Sequence, residues 1–154
     1  MSEHKATIEW RRQGADFDYK TYSRSHTLAF EGGIEVPASA APGNIPPTAK
    51  GAAGVDPEQG FVASISSCHM LWFLHLAWQA KFVVDRYVDH ASGILGKNAE
   101  GREAMTHVTL RPVVTFSGRK PSAEEHAQLH EAAHHKCFIA NSVKTEVMVE
   151  PEIA

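Results

Sequence analysis

Cys68 and Cys137 are the only two thiols in a chain of 154 residues, and they are the side chains best suited to chemistry. Two are too few for a zinc site built from thiolates alone. They leave two readings: inert buried side chains, the usual state of free cysteine, or a redox couple. Cys68 lies within Gln59–Ala80, a stretch without a formally charged residue. It is too far from the start of its helix to be activated there, so a reactive thiolate would need a cation brought by tertiary structure. Cys137 follows His134-His135-Lys136 at the end of a polar helix. Those basic neighbours predict an accessible thiol and favour its thiolate.

Histidine is the other abundant reactive type, with ten in the chain. His126, His130 and His134 are spaced i, i+4, i+8 and line one helical face. That face suits a transition metal or zinc, but the surrounding Glu, Gln and Lys residues favour a solvated polar face. The expectation is no bound metal and no cofactor. His69 and His75 are expected in the core or an interface, with local hydrogen bonds. No P-loop, dinucleotide-binding glycine pattern or G-x-S-x-G elbow occurs. A Cys–His hydrolase lacks an Asn or Asp orienter at a recognisable position.

The elements that must hold these residues follow from patterning. Ala6–Trp10 and Phe17–Phe30 read as strands, and Gly32-Gly33 as a tight turn. Residues 37–55 carry four prolines and three glycines and predict a long irregular loop, a lid or a binding loop. Asp56, Pro57 and Gln59 then form a helix start of the capping-box kind. The helix that follows is apolar nearly all round. Its length raises the question of a membrane span, but Ser64, Ser66, Ser67, Cys68, His69, His75 and Gln79 favour the central helix of a soluble fold. Phe82–Val88 and Met105–Phe116 read as strands, with Pro112 at an edge or a bulge. Pro121–Glu125 opens a second helix running to about His135, and Val143–Val149 alternates as a last strand. The class is α+β in a single domain over 1–154. One sheet covers only one side of the long helix, so burying both Trp72 and Trp78 predicts a homodimer in which the long helices meet.

The net charge of −3 is spread without a basic stripe, which argues against nucleic-acid partners and recruitment to an acidic membrane surface. Charges near the first residues leave no apolar signal-peptide core, so a cytoplasmic location with reduced thiols is expected.

Val55-Asp56-Pro57-Glu58-Gln59-Gly60, leading through a small-residue stretch to Ser67-Cys68-His69, resembles the central-helix signature of the OsmC/Ohr family. Cys137-Phe138-Ile139-Ala140-Asn141-Ser142 resembles its second cysteine signature, with Phe138 where many members have proline. Tyr22-Ser23-Arg24 ahead of Phe30-Glu31-Gly32-Gly33 is similar to the region that supplies the family's active-site arginine. The resemblance implies an α+β homodimer with sites at the subunit interface. It also implies reduction of organic hydroperoxides, with hydrogen peroxide a poorer substrate and a dithiol or lipoyl group as external reductant. It makes Cys68 the peroxidatic thiol, Cys137 the resolving thiol, Arg24 its cationic neighbour and Glu58 the carboxylate that orients Arg24.

Ten residues of unbroken helix span about 15 Å, so one arginine can hardly touch both Glu58 and Cys68 within one straight helix. Either the helix breaks near Gly60 or two subunits combine in the site, and the second is favoured. The competing readings are a non-enzymatic thiol sensor or binder of small hydrophobic ligands, and a metal enzyme built on His126, His130 and His134.

Overall fold

A computed structural model describes every residue except Gln13, Ala15, Asp16 and Lys50. Three of these fall in the turn expected before Phe17, and Lys50 falls in the proline-rich loop. The chain forms two compact units, Met1–Gly60 and Phe61–Ala154.

The first unit is an antiparallel sheet of β1 (Ala6–Glu9), β2 (His26–Phe30) and β3 (Ile34–Ala38), in sequence order. Gly32 and Gly33 turn the β2–β3 hairpin with φ of 83° and 77°, values that cost a residue with a Cβ. Pro37 is tolerated because β3 is an edge strand. The expected strand from Phe17 is shorter than its composition suggests, since only His26–Phe30 pairs. In the segment before it, Thr21 and Tyr22 donate to the Asp18 carbonyl. There Trp10, Phe17 and Tyr22 pack ring against ring at 4.8–6.0 Å, so these aromatics cluster instead of joining a ladder. The loop over 37–55 is largely irregular, with one 3-10 turn at Pro42–Asn44. Its end is fixed by a bridge between Ala38 and Val55. A Cβ on Gly54 would come within 2.7 Å of the Ala38 backbone.

Helix α1 (Pro57–Gln79) starts as its sequence predicts. Asp56 Oδ1 accepts from the Gln59 amide at 2.7 Å, and Gln59 Oε1 accepts from the Asp56 amide at 3.3 Å. It ends in a Schellman turn: Phe82 N–H donates to Ala77 O, and Lys81 N–H to Trp78 O. Lys81 sits at φ 60°, the one described non-glycine residue with positive φ.

In the second unit two three-stranded mixed sheets hold α1 and α2 (Ala123–Lys136). One has the order β4 (Val83–Asp89), β7 (Pro112–Ser117), β9 (Glu152–Ile153). The other has β5 (Ser92–Lys97), β6 (Glu103–Leu110), β8 (Glu146–Val149). Pro112 marks neither an edge nor a bulge. It is the first residue of central strand β7, where the chain leaves one sheet for the other and a missing N–H is tolerable. Strand β5 has no counterpart in the sequence reading, because Ser-Gly-Ile-Leu-Gly-Lys carries two glycines and little alternation. The core joins Phe73 and Ala77 of α1 to Phe82, Val114, Phe116 and Ala133. A second cluster joins Ile65 to Val108 and Leu110. By length and composition α1 could cross a membrane, yet one face of it, Ile65, His69, Phe73 and Ala77, is fully buried in this protein core.

Candidate active site

Helix α1 carries Cys68 and the C-terminal boundary of α2 carries Cys137, and the second unit brings the two thiols together. Cys68 is partly exposed and Cys137 is 0 % exposed. The Cys137 thiol faces the Ile65 carbonyl at 3.9 Å and accepts from the Ala140 N–H at 3.4 Å. Burial pushes its pKa up to about 11; the Ala140 amide offsets part of that rise, and the neighbouring Cys68 thiol adds to it. The accessible, thiolate-prone Cys137 expected from its basic neighbours is therefore corrected. Lys136 extends over the Trp72 ring at 5.4 Å and His135 turns towards Glu131, leaving the thiol facing inward.

The residues after Cys137 explain their own pattern. Asn141 N–H closes onto the Cys137 carbonyl at 3.0 Å, and Asn141 Nδ2 donates to the His135 carbonyl left open at the helix end. Ser142 Oγ donates to Phe138 O at 2.7 Å. These bonds wind 140–142 into a 3-10 turn that holds the sulfur in place. Phe138 is 67 % exposed and meets Trp72 edge-on at 5.4 Å.

Between α1 and this turn lies an open groove of about 530 Å³, with Cys68 on its wall. Leu71, Trp72, Phe138 and Ile139 make it mostly apolar, and Ser64 and Ser67 supply hydroxyls. Its volume is that of a small-molecule site.

Arg24 and Glu58 belong to the first unit. The Arg24 fork donates to Tyr22 O at 2.6 Å and Tyr19 O at 2.8 Å, and its plane lies 3.4 Å from the Tyr22 ring centre. It lines a cavity of about 390 Å³ with Trp10, Phe17 and Tyr22. Glu58 Oε1 accepts from Asn44 Nδ2 at 3.3 Å, whereas Oε2 is buried without a partner. Among the described residues no bond joins Arg24 to Glu58 within the chain. The helix break near Gly60 is absent: α1 is continuous from Pro57 to Gln79, and Gly60 N–H donates to Asp56 O at 2.9 Å.

The histidine face of α2 is neither solvated nor arranged for a metal. His126 and His130 are buried, and among the described residues no three His, Cys, Asp or Glu side chains are grouped to hold an ion. They form a chain with α1 instead. His69 Nε2 is 3.0 Å from His130 Nδ1, and His130 Nε2 is 3.3 Å from His126 Nε2. Burial lowers His69 to about 4 and His130 to about 3, helped by neighbouring imidazoles. The i, i+4, i+8 spacing showed that these histidines share a face; only the fold shows that the face meets α1. His75 stays at the exposed side of α1, edge-on to Trp72 at 5.8 Å.

Residues 49–152 match the family model described as OsmC-like protein. Among solved structures, an OsmC-like protein of unknown function from Vibrio cholerae is 48 % identical, with a TM-score of 0.93 over 98 % of this chain and 99 % of that one. The organic hydroperoxide resistance protein OhrB of Bacillus subtilis is 20 % identical, with a TM-score of 0.62 over 97 % and 98 %. A hydroperoxide resistance protein from Legionella pneumophila is 16 % identical, with a TM-score of 0.62 over 100 % and 99 %. These last two likenesses show the fold. No curated protein matches.

Proposed function

The chain belongs to the OsmC-like protein family, and from that premise we propose that it is a thiol-dependent peroxidase for organic hydroperoxides. The observation that carries the reading is the pairing of a partly exposed Cys68 with a buried Cys137 beside an apolar groove. Two fold relatives bear the name of organic hydroperoxide resistance proteins.

The chemistry needs two thiols of unequal character. The Cys68 thiolate attacks the outer oxygen of the hydroperoxide, the O–O bond breaks, and the alkoxide leaves as an alcohol after taking a proton. Cys68 becomes a sulfenic acid. Cys137, protonated at neutral pH because it is buried, does not compete for peroxide. When it attacks the Cys68 sulfur, the S–O bond breaks and hydroxide leaves as water with the Cys137 proton. An external dithiol or lipoyl group then reduces the disulfide by exchange. Leu71, Trp72 and Phe138 favour an organic chain over hydrogen peroxide.

The same proposal makes the working unit a homodimer. The exposed side of α1 carries large apolar side chains, with Leu71 61 % and Trp78 71 % exposed. A second copy would cover it and bring Arg24 of one subunit to the thiolate of the other, where it would hold the charge. Glu58, with one oxygen buried and unpaired, offers an acceptor that a donor from the second copy would satisfy.

A steady-state assay with cumene and t-butyl hydroperoxide tests the reading, with dihydrolipoamide and dithiothreitol as reductants. Multiple turnovers are expected from the wild type and none from Cys68→Ser. Equal turnover by both would end the proposal. Oxidation of the wild type without turnover, whatever the reductant, would favour a thiol sensor.

A further inference from the structure

Cys68 and Cys137 sit on different helices, so their approach depends on how α1 is held against α2. Apolar packing at Phe73, Ala77 and Ala133 draws the helices together, and a directional bond narrows the register that this packing allows. Among the described residues the shortest directional link between the two helices is the imidazole pair. His69, next to Cys68, meets His130 at 3.0 Å, and the rings are stacked 6° from parallel. His130 also stacks on Phe73 at 4.2 Å. Both histidines are almost fully buried, at 0 % and 2 % exposure, where geometry matters most and an unmade bond costs most.

The donor order follows from the unpaired atom. His69 Nδ1 is buried without a partner. A bare lone pair there costs less than a bare N–H, so His69 carries its proton on Nε2 and donates to His130 Nδ1. His130 then donates from Nε2 to His126. The charged and titratable groups facing this chain are His126, His134 and the Tyr87 phenol, which lies beside Asp89.

We propose that the His69–His130 bond is the positioning device of the resolving step: it sets the register of α1 on α2 that places Cys137 Sγ against Cys68. The proposal rests on the disulfide chemistry proposed above. Neither histidine touches the peroxide. Loss of the bond should leave the attack of Cys68 on hydroperoxide unchanged and slow the Cys137 attack, lengthening the life of the sulfenic acid and exposing it to a second oxidation.

Amide replacements provide the test, because an asparagine amide reaches the Nδ1 position of histidine and a glutamine amide the Nε2 position. At 130 the bond to α1 uses Nδ1, so His130→Asn should keep it and His130→Gln should lose it. At 69 the bond uses Nε2, so the order reverses: His69→Gln keeps it and His69→Asn loses it. Rapid-quench mass spectrometry with cumene hydroperoxide reads sulfenic acid and disulfide separately. The two bond-losing variants should form sulfenic acid within about twofold of the wild-type rate. A misplacement of about 1 Å costs on the order of 100-fold in rate, so they should resolve roughly 10- to 100-fold more slowly. The two bond-keeping variants should stay within about threefold.

Equilibration of each variant with reduced and oxidised glutathione gives the same comparison without peroxide, as a roughly tenfold or greater drop in the disulfide formation constant. A general packing role predicts no crossed pattern, so four variants with equal constants, or an order set by side-chain size, would overturn the proposal. Failure of the wild type to oxidise with hydroperoxide, with the crossed pattern intact in glutathione, would overturn the peroxidase reading and leave this one standing.

Discussion

The two faces of α1 have similar composition and opposite surroundings. Ile65, His69, Phe73 and Ala77 are sealed in the core, whereas Leu71, His75 and Trp78, one step around the helix, face outward. Apolar residues all round a helix therefore do not mean one environment. The inner face is satisfied within its own unit, where even a polar imidazole finds a partner. The outer face, with two large apolar side chains in the open, is the surface that the proposed second copy would cover.

The comparison is broken most severely from inside. Phe73→Ala removes the ring that links α1 to Tyr87, Phe116 and His130. It should cost about 3–5 kcal/mol, read by urea denaturation. On the outer face Leu71→Glu should leave the fold of each chain intact. It should weaken self-association by roughly 100-fold, about 2.7 kcal/mol, as measured by sedimentation equilibrium. Retention of full association by Leu71→Glu would place the partner surface elsewhere.

Acid separates the faces by charge. His69 and His130 titrate near 4 and 3 in the fold, against 6.5 for a free imidazole. The unfolded chain therefore binds more protons between those limits, and stability rises with pH there. Their contribution is complete above about pH 6.5 and is lost as pH falls through about 4 for His69 and about 3 for His130, so thermal melting should drop across that window. His130→Phe should flatten the slope, and an unchanged slope would count against the buried chain. The smallest expected effect is at the helix start, where Asp56→Ala removes the bond to the Gln59 amide. It should cost about 1 kcal/mol in the same denaturation assay.

Local chemistry was the legible part of the sequence. Asp56/Gln59 forms the cap its spacing calls for, because a cap is decided within four residues. The two cysteine signatures mark thiols that the fold brings close together. The fate of a face was not legible. His126, His130 and His134 among Glu and Gln look solvated, yet two of them lie inside, since the residues that cover them come from another helix. Cys137 misled in the same way: its neighbours in sequence are basic, but its neighbours in space are Ile65 and Cys68. Tyr19 and Tyr22 around Arg24 were missed as well, although a run of aromatics beside a lone arginine is a readable sign of stacking.

The turn that ends α1 also has a consequence for engineering. Lys81 occupies a left-handed position that suits glycine and disfavours a side chain by roughly 1 kcal/mol. Lys81→Gly should raise the melting temperature without altering either thiol or the histidine chain. That makes residue 81 the natural site for a stabilising background, one in which damaging substitutions elsewhere in α1 could be studied in chains that still fold.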